Sequence, residues 1–483
     1  MNKVTNGGIL LVLSSIGVSI LNYLLNIVLS WLLEPATYGM IGVTQSFIFL
    51  GVWFLVAGFP WVTAQILAKT TPDDYPTIYP ILQGTLWGNI LLGVLLSAGL
   101  WFGYQSQLLP LSPDYGLLIK WVLFIILLLA VRQAFTAVLQ GRLQFGELGL
   151  VRIVEVIIQF VSALWLVFLG YGAPGAMAGF AFGTMFSLFL GVWLARDLPF
   201  WRASSFDRRT ISALRPAIPF LLANLSGVLL VNVDLLALKF LANPTMSDQL
   251  VAHYQVAAVL SRIPYYVSQS VIAIIFPLIA RHAHNSKEAN QTARQALQMV
   301  VSCVLGLNIL LMAAPEATIA FFFPPIYLSV APILRLLALS MSLMILAQTL
   351  ATILQARGQV WAAAIALPLA ALVQMVAALW WVPQFELIGA ALSSCLAGIV
   401  GLVTMWLATR YTFPSVIQLS TRQLAAQSGA FALLILMVAS LPLLDRLTTA
   451  LWMAAGVGIY ALTLLFLGVI DLPALRAFAQ RDT

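Results

Sequence analysis

Charged residues are scarce in this chain: 8% of its 483 residues are Asp, Glu, Lys or Arg and 62% are hydrophobic, where an ordinary soluble protein carries roughly 25% charged residues. That scarcity excludes a water-soluble fold. Cysteine is nearly absent too. Cys303 and Cys395, the two present, both fall inside apolar runs, which leaves neither a disulfide framework nor a thiolate metal cluster to expect. Histidine occurs three times, and His282 with His284 lack a third ligand nearby, so a metal site has weak support. No Gly-rich phosphate loop of the Walker type occurs, so ATP hydrolysis is unsupported and no cofactor is expected.

What fills the chain instead is apolar runs that repeatedly exceed the roughly 20 residues needed to cross a bilayer core of about 30 Å. The first, Gly8 to Leu33, is too long for a signal-peptide core and reads as an uncleaved helix. Breaks at Gly, Pro and charge place spans near 8–33, 40–68, 78–103, 115–140, 148–170 and 174–195. After a polar, basic segment follow spans near 217–242, 251–280, 292–323, 328–355, 359–382, 387–409, 424–442 and 447–470. The expectation is an all-α integral membrane protein of about fourteen transmembrane helices. It divides into a six-helix lobe (1–195), a basic linker (196–216), a second six-helix lobe (217–411), and two extra helices with a short tail (412–483).

The net charge of +7 does not point to a nucleic-acid partner, because the basic residues sit in short loops, where their bias sets membrane orientation. With the N-terminus inside, one side collects Lys3, Lys69, Arg142, the arginines of the linker, Arg357, Arg410 and Arg481, while the other collects Arg446. Both termini are therefore expected in the cytoplasm. The outer loops are short and carry single acids (Glu34, Asp114, Asp248, Glu386, Asp445).

The two lobes share a register. Gln133, Leu139-Gln140-Gly141-Arg142 and Gln159 through Trp165 recur in the second lobe, at the same mutual spacing, as Gln348, Leu354-Gln355-Ala356-Arg357 and Gln374 through Trp380. Gly175-Ala176 is matched by Gly389-Ala390, and Phe59-Pro60 by Phe276-Pro277. An even number of helices separates the copies, so a pseudo-two-fold axis along the membrane normal is expected, a transporter plan compatible with alternating access.

Polar residues inside the spans are costly in lipid and so mark protein-facing or water-facing surfaces. Ser15, Ser19, Asn22, Asn26 and Ser30 form a stripe along the first span, suited either to interhelical hydrogen bonds or to the lining of a hydrated cavity. Arg152, Glu155, Gln159 and Ser162 share a face of the fifth span, and Gln255, Arg262, Tyr266 and Gln269 a face of the eighth. Arg152 and Glu155, at i and i+3, are placed to form a structural ion pair. Arg132, with Gln133 beside it, and Arg262 have no acid at helical spacing in their own spans, so each finds a carboxylate elsewhere or stays available. Guanidinium groups suit phosphate through forked hydrogen bonds, hence the expectation that Arg132 and Arg262, helped by Arg152, attract an anionic head group. Asp234 and Glu155 are candidate ion-coupling sites, and Lys239 is expected to snorkel to the outer interface.

Leu33-Glu34-Pro35-Ala36-Thr37-Tyr38-Gly39, Tyr254-Gln255-Val256-Ala257 through Arg262 to Phe276-Pro277, Asp234, and Leu354-Gln355-Ala356-Arg357-Gly358 resemble the polysaccharide-transport branch of the multidrug, oligosaccharidyl-lipid and polysaccharide exporter superfamily. The resemblance covers nearly the whole chain. It implies two six-helix lobes around a cavity, and a flippase, not an enzyme. The implied cargo is an undecaprenyl-pyrophosphate-linked oligosaccharide, moved from the inner to the outer leaflet of a prokaryotic cell membrane. It further implies association with polysaccharide polymerase and chain-length proteins, as for O-antigen or exopolysaccharide. A lipid II flippase, a cation-coupled drug exporter and a membrane polymerase or ligase are the alternatives.

Overall fold

The computed structural model describes residues 2–68, 70, 75–197, 218–266, 268, 279, 286–417, 455 and 458. Every secondary element among them is helical, and they contain no strand. Lipid offers no partner for backbone N–H and C=O groups, and a helix satisfies both within one segment. Nine helical stretches among the described residues are long and apolar enough to cross a membrane. The chain is an all-helical, multi-pass membrane protein.

The described residues fall into two compact units, within 1–252 and within 253–483. The first contains α1 (Asn2–Leu32), α2 (Pro35–Ala57), α3 (Phe59–Leu67), α4 (Tyr75–Gln105), α5 (Tyr115–Gly141), α6 (Phe145–Leu166), α7 (Gly172–Leu194), α8 (Ile218–Leu241) and the start of α9 (Ser247–Ser261). The second contains the rest of α9, then α10 (Ser286–Ala313), α11 (Pro315–Phe322), α12 (Ala331–Ala356), α13 (Val360–Thr412) and α14 (Pro414–Ile417). The basic segment expected to separate the lobes lies almost wholly outside the described residues; α8, on its far side, packs against α2.

Within the first unit α5 is the central helix, touching α2, α3, α4 and α7. Leu82 and Leu86 of α4, Leu67 of α3 and Ala134, Phe135 and Val138 of α5 make one buried cluster. α1 packs on α6 and turns Leu13, Ile16, Ile20 and Leu24 outward. That apolar stripe at helical spacing is a lipid-facing surface. In the second unit α12 packs on α13 and α10.

Among the described residues three expected spans are interrupted, and two bends fall at or between spans that the sequence separates. The second, expected over 40–68, breaks at Gly58 (φ −91°, ψ −118°) into α2 and α3, where Pro60 begins a new turn without an N–H to donate. The ninth, expected over 292–323, breaks at Ala314 before Pro315 into α10 and α11. The eighth turns at Arg262, and the helix resumes over 263–266, because Pro264 cannot donate to the carbonyl of residue 260. α6 runs through a π turn, Val167–Tyr171, into α7 with a kink at Gly170 (φ 91°). α13, 53 residues and so about 80 Å of helix, is bent at Glu386 (φ 45°) into two passes. Spans thirteen and fourteen lie outside the described residues apart from 455 and 458.

One local geometry appears twice. At the end of α5, Arg142 N–H donates to Val138 O (2.9 Å), Leu143 N–H to Gln140 O (3.1 Å) and Gln144 N–H to Leu139 O (2.9 Å). At the end of α12, Arg357 N–H donates to Ile353 O (3.2 Å), Gly358 N–H to Gln355 O (3.0 Å) and Gln359 N–H to Leu354 O (2.8 Å). Each bond joins the positions that the sequence register sets against its counterpart. The left-handed position of this cap is Leu143 (φ 58°) in the first case and Gly358 (φ 83°) in the second.

Candidate functional site

The polar face of α6 is set by its approach to α7. Gly175, Gly179 and Gly183 recur every four residues on α7, so they line one side of it. A Cβ at Gly179 would collide with the backbone of Ala163, and one at Gly183 with the carbonyl of Glu155 and with Gln159. The two helix backbones are therefore nearly in contact, and Ser162 donates across the seam to Gly179 O at 3.3 Å. This fixes the rotation of α6, and with it the directions of Arg152, Glu155 and Gln159.

Glu155 points to α5. Arg132 donates to its carboxylate and pairs with it, both side chains being nearly buried. Arg132 also reaches Ser187 Oγ on α7 at 3.3 Å, and Thr184 Oγ1 donates to Glu155 Oε1 at 3.5 Å. Of the two possibilities open to Arg132, a carboxylate elsewhere is the one realised. The i, i+3 ion pair expected between Arg152 and Glu155 is not formed, because the crossing of α5 and α6 brings the Arg132 guanidinium to the carboxylate first.

Arg152 is left over. Its side chain is exposed, on the face of α6 opposite the outward-turned Ile157, Val161 and Trp165. It senses the charges of both Arg132 and Glu155, and among the described residues none hydrogen-bonds or ion-pairs with it. An accessible guanidinium with its donors uncommitted can take two oxygens of a phosphate or carboxylate at once.

The other expected residues divide as follows. Gln133 is buried and accepts from Thr136 Oγ1 at 3.0 Å, and Gln159 is buried at the α6–α7 seam. Along α1, Asn26 Nδ2 donates to Asn22 O (2.9 Å), Ser19 to Ser15 O (2.9 Å) and Ser30 to Ile27 O (2.6 Å). The stripe thus turns toward protein and satisfies much of its hydrogen bonding on its own helix. Asp234 is fully buried in α8, where Leu235 N–H donates to it at 2.8 Å. In the second unit Gln255 is buried with its side-chain oxygen unpartnered among the described residues. Arg262 lies beside Tyr265 and Tyr266, and Gln348 hydrogen-bonds Tyr265. Gln269, His282 and His284 lie outside the described residues. Among those described, no three His, Cys, Asp or Glu residues gather as a metal site would require.

Lys239 does not snorkel. It is buried, with Nζ 2.7 Å from Asp248 Oδ1, 3.1 Å from Ser247 Oγ and 4.8 Å from the centre of the Tyr115 ring, and the Tyr115 hydroxyl donates to the same carboxylate. Asp248, expected as an outer-loop acid, intercepts it because α8 and α9 are joined by a turn of only a few residues. Periodicity within one helix carries no sign of this cluster or of Arg132–Glu155. The glycine stripe of α7, by contrast, is readable in the sequence as a four-residue repeat.

Residues 4–283 match the family model described as polysaccharide biosynthesis protein. No curated protein matches the chain in sequence. Among solved structures the chain is similar to the lipid II flippase MurJ in an inward closed conformation (TM-score 0.73, 15% identity, 95% of this chain and 98% of that one). It is also similar to an outward-facing multidrug resistance MATE family transporter of the MOP superfamily (TM-score 0.62, 15% identity, 86% and 97%) and to the eukaryotic MATE transporter AtDTX14 (TM-score 0.63, 15% identity, 89% and 98%). At these identities the likeness is one of fold.

Proposed function

The chain belongs to the polysaccharide biosynthesis protein family, and we propose that it is a flippase that carries an oligosaccharide, linked to undecaprenyl pyrophosphate, from the inner to the outer leaflet. The observation that supports this most directly is Arg152, an exposed guanidinium of a membrane protein that is uncommitted among the described residues. A diphosphate is the portion of such a cargo that lipid excludes most strongly, and a guanidinium matches its oxygens. Arg262, Gln255, Gln269, Asn22 and Asn26 are the further polar groups assigned to the path, while Arg132, Gln133 and Gln159, buried between helices, hold its wall. Asp234 and Glu155 are the carboxylates assigned to ion coupling.

Solved relatives of this fold include an inward closed flippase and an outward-facing transporter, which supports alternating access between two duplicated lobes. The cap repeated at Leu143 and Gly358 supports the duplication, with both termini cytoplasmic and spans thirteen and fourteen outside the repeat. We place the protein in the inner membrane of a prokaryote, working with polymerase and chain-length proteins on a surface polysaccharide. Lipid II is the second reading, favoured by the likeness to MurJ, whereas the family match favours a polysaccharide precursor. An exposed arginine opposes a cavity for cationic drugs.

The test is leaflet-resolved accumulation of the native lipid-linked glycan in cells lacking the protein. Precursors collect on the cytoplasmic face and clear on complementation if the reading holds. Precursors that cross normally but stay unpolymerised or unligated would establish an enzyme instead.

A further inference from the structure

The second unit supplies an internal control for the Arg132–Glu155 pair. In the register that sets Gln133 against Gln348, the counterparts of Arg132 and Glu155 are Ala347 and Ala370. In the register that sets Gly175 against Gly389, the counterpart of Ser187 is Gly401. A Cβ at Gly401 would stand 3.5 Å from the Ala370 methyl and 3.7 Å from the Ala347 methyl. The same three helix positions therefore converge in both units. In one the crossing holds Arg132, Glu155 and the Ser187 hydroxyl, in the other two methyl groups and a glycine. Small residues suffice to close this crossing, so the charges are not a requirement of the packing.

Charge at this place has one evident neighbour, Arg152, which lies one helical turn before Glu155 on α6 and is exposed. A free Glu155 carboxylate would attract it at i, i+3. Held by Arg132, the carboxylate is already neutralised and turned toward α5.

We infer that Arg152 is the residue that binds the anionic head group, and that Arg132 is a positioning residue that engages Glu155 and so keeps Arg152 uncommitted. This rests on the flippase reading and divides its three cations into different roles. Arg132 acts on the cargo through Glu155 alone. It follows that removing both members of the pair spares binding, whereas removing Arg132 by itself hands Arg152 to Glu155.

The experiment measures binding of farnesyl diphosphate to the purified full-length protein in detergent, with thermal stability of each variant recorded beside it. Loss of a charge-assisted hydrogen bond is expected to weaken Arg152→Ala by about tenfold or more, and Arg132→Ala comparably. Arg132→Lys, which still neutralises Glu155, stays within about threefold of wild type. The Arg132→Ala/Glu155→Ala double variant recreates the pair found at Ala347 and Ala370 and also returns to within about threefold. Glu155→Ala does not rescue Arg152→Ala. A double variant as weak as Arg132→Ala while as stable as wild type overturns the inference, since Arg132 would then touch the ligand itself. Undiminished binding by Arg152→Ala overturns it as well, and leaves the flippase reading standing. Failure of the wild type to bind any prenyl diphosphate removes the reading on which the inference rests.

Discussion

Replacing Asp248 by alanine should destabilise the protein far more than replacing Lys239 by methionine, although both changes break the same ion pair. The asymmetry comes from burial: the Lys239 side chain is 4% exposed and that of Asp248 23%. Without Asp248 the ammonium keeps the Ser247 hydroxyl and the Tyr115 ring but has no counter-charge among the described residues, and an uncompensated buried charge costs about 3–5 kcal/mol. The two remaining contacts place the expected loss near the lower end, about 3 kcal/mol. Without Lys239 the carboxylate still accepts from Tyr115 and reaches solvent on one side, so about 1 kcal/mol is expected. The Lys239→Met/Asp248→Ala double variant should be more stable than Asp248→Ala alone, because no stranded charge remains. Denaturant unfolding of the purified protein in mixed micelles reads all three. Equal losses for the two single variants, or a larger one for Lys239→Met, would refute the reasoning by showing that the lysine reaches water.

Gly179→Val should force α7 away from α6, since its side chain would overlap the Ala163 backbone; a loss above about 3 kcal/mol, seen as failure to recover folded protein, is expected. Leu143→Gly should stabilise by about 1 kcal/mol, because Leu143 holds the left-handed position that Gly358 fills in the matching cap, and a rise in melting temperature checks it. Hydrogen bonding to Arg142 at 2.7 Å holds the Asp197 carboxyl below the usual carboxylate range. A depressed folded value contributes stability above the unfolded value of about 3.9 and loses it as pH falls through the folded value. The Asp197 side chain is 58% exposed, so Asp197→Asn should cost under about 1 kcal/mol at pH 7 and should flatten the acid limb of the stability curve.

Much of the fold is legible in the sequence because lipid imposes one rule on every span: an apolar run of sufficient length, bounded by charge, Gly or Pro. The runs near 78–103, 115–140 and 217–242 lie within a few residues of α4, α5 and α8. Breaks inside a run are harder to see. Gly58 and Ala314 stand in stretches that stay apolar on both sides, so hydropathy passes over them, although Pro60 and Pro315 mark the new turns. The site is legible as a set of residue types and not as a set of partners. Arg132 and Glu155 are 23 residues apart on different helices, and helical periodicity relates residues of one helix only, so it pairs Arg152 with Glu155 where the fold does not. Proximity to the end of α8 suggests water for Lys239, while the short turn into α9 supplies a carboxylate instead. The internal repeat carries information of a different kind, because it relates positions on different helices. Aligned on Gln133 and Gln348, it sets Ala347 and Ala370 against the only charged pair at this crossing among the described residues.

Translocation in a defined membrane tests the central claim most directly. Purified protein is reconstituted into liposomes loaded with a fluorescent prenyl-diphosphate-linked oligosaccharide in both leaflets, and a glycosidase added outside reports how much becomes accessible. The account predicts that cleavage proceeds beyond the outer-leaflet half with wild type and stops near half with Arg152→Ala. Cleavage stopping at half with wild type, under conditions that supply an ion gradient in either direction, would contradict it.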